Sequence, residues 1–104
     1  MAKNKYDFNK IKKIIRVLLK NPDGIWLRKL SRDSRLPVST IHYYLESVLG
    51  NMVENVGVRD EDGKFFGLRV IRLRNGVFKQ LSLGNLDRNL MRLLKANELI
   101  SDST

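Results

Sequence analysis

Ser39, His42, Tyr43 and Glu46 carry hydrogen-bonding side chains at offsets of 0, 3, 4 and 7 residues. At 3.6 residues per turn that spacing gathers them on one face of a helix. Hydroxyls, an imidazole and a phenol at the start of a helix suit the donors and acceptors on base edges, and the phosphates beside them. Glu46 can accept from a cytosine amino group, or it is a solvent-side helix residue. Thr40 joins Ser39 as a candidate, and both have a second chemistry as helix caps. Tyr43 has a rival role in packing against a neighbouring hairpin, and His42 as a plain surface histidine. Ile41, Leu45 and Val48 form the opposite, inward stripe, with Tyr44 beside them.

The charge points to the same kind of partner. Twenty Lys and Arg against eleven Asp and Glu give +9 over 104 residues. Residues 1–50 hold eleven bases and four acids, net +7, and residues 51–104 only +2. A domain this basic attracts polyanions, nucleic acid first, and the first half is the half that should face them. Arg28, Lys29, Arg32 and Arg35 cluster just before the hydrogen-bonding helix. Arg59, Lys64 and Arg69 lie further along, and these seven are the candidate phosphate-backbone contacts.

Other chemistries are poorly supplied. With no cysteine and one histidine, disulfides, thiolate catalysis and Cys or His-pair metal sites lack their residues. No paired carboxylates, phosphate-cradling glycine loop or nucleophile with its base stand out, so an enzyme is not expected, nor a cofactor. No apolar run approaches the ~20 residues of a membrane span. The basic start lacks the apolar core of a secretory signal. A cytoplasmic, nucleoid-associated protein with no membrane partner and no evident small-molecule ligand is the expectation.

The elements that would position these residues are legible from periodicity. Phe8, Ile11, Ile15 and Leu18, widened by Ile14, predict a helix from Asp7 to Lys20. Asn21-Pro22-Asp23-Gly24 is a turn. Leu27 to Ser34 reads as a short helix, with Ile25-Trp26 either extended or a helix entry. Pro37 favours the start of a third helix, Val38 to Leu49, closed by Gly50. The period then changes. Met52 to Asp60 and Lys64 to Arg74 read as strands about an Asp-Gly hairpin turn. Asn75-Gly76 reads as a second such turn, which makes Val77 to Leu83 a third strand. Leu86 to Leu99 is the last helix, followed by a frayed tail. Trp26 and Tyr44 are predicted in the core.

Two short helices joined by a tight turn and followed by a hairpin make a helix-turn-helix with a wing. The run Leu36-Pro37-Val38-Ser39-Thr40-Ile41-His42-Tyr43-Tyr44-Leu45 resembles the second half of that motif in bacterial and archaeal winged helix-turn-helix transcriptional regulators. The resemblance spans residues 8–74 and is most specific over 30–45. It implies an α+β fold: a three-helix N-terminal bundle, a β-hairpin wing and a C-terminal helix. Two departures stand out. Arg35 and Pro37 occupy a turn where the family carries a small residue or glycine. The wing tip Asp60-Glu61-Asp62 is acidic where family wings are often basic, and carboxylates repel phosphates.

Residues 1–85 thus form the expected DNA-binding unit and residues 86–104 a C-terminal element within one structural domain. Leu86, Leu90, Leu93, Asn97 and Ile100 are spaced 4, 3, 4, 3. That is a coiled-coil stripe with a register-setting Asn, a candidate homodimer seam. The same stripe would also serve a helix folded back onto its own core. The expected function is sequence-specific binding of double-stranded DNA by a small dimeric regulator, with helix 38–49 in the major groove. The alternatives are a non-specific nucleic-acid or chromosomal architectural protein, or an interaction module in a larger complex. An outward face that stays apolar rather than basic would favour the last.

Overall fold

The computed structural model describes residues 6–56, 61–62 and 69–102, with side chains to Ala96. Helix α1 (Phe8–Lys20) starts where the Asp7 carboxylate accepts from the Asn9 N–H at 2.9 Å. That satisfies one of the helix's first-turn donors. Its stripe of Ile11, Ile14, Ile15 and Leu18 is fully buried. The helix stops at Asn21, whose side-chain amide donates to the Val17 carbonyl at 2.7 Å. Gly24 then takes φ +121°, and a Cβ there would lie 2.8 Å from Val70 Cγ1, so glycine is needed for both reasons.

Strand β1 (Ile25–Trp26) leads directly into α2 (Leu27–Ser34), and α3 (Val38–Glu46) follows. Strands β2 (Val53–Asn55) and β3 (Val70–Leu73) pair antiparallel, Val53 opposite Leu73 and Asn55 opposite Ile71. Strand β1 adds antiparallel to the other side of β3, giving the order β1-β3-β2. Helices α4 (Asn75–Leu81) and α5 (Leu86–Asp102) follow the sheet in the chain and pack together. Three N-terminal helices, α1 to α3, with β1, β2 and β3 as one small antiparallel sheet and two further helices after it, are the α+β winged helix-turn-helix layout.

One core serves all of these elements. Ile11, Ile15 and Leu18 meet Leu30, Ile41, Leu45, Leu49, Ile71, Leu73, Leu90 and Leu94 in it. Across the bundle, the buried Tyr44 hydroxyl accepts from the Asp7 N–H at 2.9 Å and so ties α3 to the start of α1. Lys12 reaches Asp87 at 3.0 Å, linking α1 to the start of α5.

The structure corrects four expectations. The last helix does not stop at Leu99 ahead of a frayed tail but continues through Ser101 to Asp102, there being no Gly or Pro after Leu99 to end it. Val77 to Leu83 is not a third strand, because Asn75–Leu81 is helical. Both edges of β3 are already taken by β1 and β2, so no edge beside it is open. Val77, Phe78 and Leu81, at offsets 0, 1 and 4, turn inward as helix positions while Lys79 and Gln80 stay exposed. Trp26 is not in the core but 54% exposed. Side chains alternate across a strand, and Ile25 takes the inward position. The third helix ends at Glu46 rather than Leu49. There the Ser47 hydroxyl donates to the Tyr43 carbonyl at 2.6 Å and the backbone leaves helical geometry. Leu49 is nonetheless fully buried, delivered by the turn.

Candidate nucleic-acid interface

The outward face of α3 is set by its inward one. Ile41, Tyr44 and Leu45 are buried, and this leaves Ser39, His42, Tyr43 and Glu46 exposed together, with Thr40 half-buried. Neither hydroxyl residue is the cap: Pro37 is, with no side-chain capping bond. The Ser39 side chain is therefore presented to solvent on the helix face. Tyr43 is 51% exposed. Its ring meets Tyr44 edge-on, with centroids 5.2 Å apart at 73°. Tyr44 is buried and anchored by its hydroxyl, so it braces the exposed ring.

Arg28, Lys29 and Arg32 on α2 are all exposed. Asp33 lies 3.9 Å from Lys29 and 4.0 Å from Arg32. Exposed pairs at such distances hold the side chains weakly, which leaves both cations able to re-aim toward a phosphate. Arg35 sits in the α2–α3 turn at φ 61°, ψ 33°, a left-handed backbone in a residue with a side chain. Lys20, Arg32 and Arg35, with Val17, Asn21 and Asp33, line an open cavity of about 400 Å³ where α1 and α2 end.

The conformation of Arg35 yields a prediction. A left-handed backbone costs an ordinary residue about 1–2 kcal/mol, and glycine avoids that cost but has a more disordered unfolded chain. Arg35→Gly is therefore expected to stabilise the fold by about 0.5–1 kcal/mol, read as a higher urea midpoint. The same variant should bind duplex DNA more weakly. An unchanged or lower midpoint would show that the turn is not strained.

Other expected contacts are placed differently. Arg69 is only 14% exposed in its side chain. Its Nη2 donates to Glu46 Oε2 at 2.9 Å and its Nε to Asn55 Oδ1 at 2.9 Å. The guanidinium is thus committed inside the protein, between the end of α3 and the base of the hairpin. Arg72 is similarly paired, with Glu54 at 2.7 Å. Arg59 and Lys64 lie outside the described residues, as do Asp60 and Gly63 of the expected hairpin turn, while Glu61 and Asp62 are exposed. Periodicity could place Glu46 on the outward face but held no signal for its partner, 23 residues away on another element.

On α5, Leu90 is fully buried and Leu94 nearly so in the chain's own core. Leu86 and Leu93 are partly buried against that same core. Asn97 and Ile100 fall within the helix, their side chains outside the described ones. The described part of the stripe thus folds inward. What α5 and the segment before it leave to solvent is Met91, 44% exposed, and Leu83, 74% exposed. Among the described residues no group of three or more His, Asp or Glu could hold a metal ion, and no helix is long and apolar enough to cross a membrane.

No family model matches the chain and no curated protein matches it. Among solved structures, it is similar to a MarR family transcriptional regulator from Silicibacter pomeroyi. The match has 12% sequence identity and a TM-score of 0.49, over 92% of this chain and 71% of that one.

Proposed function

We propose that this protein binds double-stranded DNA as a transcriptional regulator, seating α3 in the major groove. One observation carries the reading: α3 exposes Ser39, His42, Tyr43 and Glu46 on a single face. A helix fits the major groove, where each base pair presents a distinct pattern to such groups. The exposed Arg28, Lys29, Arg32 and Arg35 precede that face and supply the charge for the flanking phosphates.

Two copies on two half-sites would multiply specificity, and we assign the protein to that homodimeric mode of action. With Leu90 committed to the core, the pairing surface would draw on the exposed Leu83 and Met91 beside the seam expected along α5.

The reading is tested by fluorescence anisotropy with labelled duplex DNA, duplex RNA and single strands across a salt series. Duplex DNA bound in the micromolar range or tighter, ahead of the other two, supports it. No binding to any nucleic acid at low salt overturns it and leaves an acidic protein as the partner for the +9 charge.

Base reading has its own expected result. Each good base contact discriminates by about 1–3 kcal/mol. Replacing both His42 and Tyr43 by alanine should therefore narrow the gap between selected and random duplex by at least ~5-fold. Thermal stability should fall only modestly, by about the 0.5–1.5 kcal/mol of the lost edge contact between Tyr43 and Tyr44. Equal losses on the two duplexes, with folding intact, would reduce these residues to phosphate contacts.

A further inference from the structure

The carboxylate of Glu46 is an unusual group to find at a surface meant for a polyanion. It stands on the exposed face of α3, seven residues after Ser39, and the side chain is 56% exposed. A carboxylate facing phosphates is repulsive, so a plain backbone-binding surface would exclude it. Here it is both retained and held. Arg69 donates to its Oε2 at 2.9 Å, and Asn55 holds the same guanidinium through Nε at 2.9 Å. Arg69 is 14% exposed, so it acts as a largely buried brace behind an exposed acceptor. The pairing offsets the charge of Glu46 and limits its rotamers, and it leaves acceptor capacity on the carboxylate, which has four lone-pair sites.

Glu46 also lies at a suitable distance. A rise of 1.5 Å per residue puts it about 10 Å along the helix from Ser39. That is about three base-pair steps at ~3.4 Å each. A carboxylate can only accept, and the major-groove donors are the amino groups of cytosine N4 and adenine N6; adenine sets the N7 acceptor beside its amino group, which repels a carboxylate, so cytosine is the edge that fits. We infer that Glu46, positioned by Arg69 and Asn55, is a specificity residue that selects a cytosine through its N4 amino group. It selects at one end of the sequence read by α3. The inference rests on the DNA-binding reading and adds a base identity to it. Arg69 is the positioning residue, and its charge serves the protein's own acceptor rather than a phosphate.

The test is selection from a random duplex library by the full chain and by Glu46→Gln, followed by affinity measurements. Gln still accepts from Arg69, so the variant keeps the tie between α3 and the hairpin base, and melting by circular dichroism verifies folding. The wild type should enrich cytosine at one position. Glu46→Gln should lose that preference or move it to adenine, which glutamine reads bidentately, and leave the other selected positions in place. N4-methylation of the selected cytosine should weaken wild-type binding about 5- to 100-fold, the effect of one lost base contact, and leave Glu46→Gln unaffected. The variant should also hold random duplex more tightly, because one repulsive charge is gone. Arg69→Lys keeps the charge and loses the second anchor, so it should blur the cytosine preference without changing the base chosen.

Identical selected sequences from the wild type and Glu46→Gln would overturn the inference. So would loss of every selected position together, which would make the pair a structural tie alone. A wild type that binds duplex DNA but enriches no cytosine also overturns it while the DNA reading stands. A wild type that binds no duplex overturns both.

Discussion

Raising the salt from 50 to 200 mM is expected to weaken duplex binding by about 150-fold for a single bound copy. For two copies bound together the expected loss is about 2 × 10⁴-fold. The difference comes from counting phosphates. Arg28, Lys29, Arg32 and Arg35 are the exposed cations that directly precede α3 in the sequence. Each neutralised phosphate contributes about −0.9 to the slope of log K against log salt, so four contacts give about −3.6 and eight about −7.2. The slope therefore reports stoichiometry as well as electrostatics. Arg28→Gln should reduce its magnitude by about 0.9 per bound copy and weaken all duplex sequences alike. Arg69→Gln should leave the slope nearly unchanged, since that guanidinium faces Glu46 and Asn55. A flat salt response of the wild type would remove the phosphate contacts from the account.

Leu90→Ala is expected to cost about 2–5 kcal/mol, because Leu90 has no exposed surface and its truncation leaves a cavity. With domain stabilities of about 5–15 kcal/mol, that is a large share of the whole. The melting temperature should fall by at least ~8 °C for a domain this size. Met91→Glu, one residue along and exposed, should leave the melting temperature nearly unchanged. The pair of variants separates core from dimer surface. If Leu90 instead serves a seam between copies, Leu90→Ala would lower the sedimentation mass and the melting point would depend on protein concentration. If Met91 and Leu83 form the pairing surface, Met91→Glu gives a folded species of monomer mass.

The outward face of α3 was legible because helix periodicity is local. Once Ile41 and Leu45 point inward, Ser39, His42, Tyr43 and Glu46 must point outward. The turn at Gly24 and the end of α1 were legible for the same reason, since each depends on a few adjacent residues. The Val77 to Leu83 segment was not. Its apolar pattern suits a strand or a helix, and the choice fell to β3, whose two edges were already paired at a distance in sequence. Trp26 had no local signal that Ile25 would take the inward position.

The sequence by itself determined the charge, its concentration in residues 1–50, the helix-turn-helix run and the side chains that α3 presents. Only the tertiary structure decided that Leu90 belongs to the chain's own core and that Arg69 serves Glu46. An amphipathic stripe records that a face is apolar, not which surface covers it. An arginine records a charge, not its partner. Both are settled by packing between elements far apart in the chain, where local propensity carries no information.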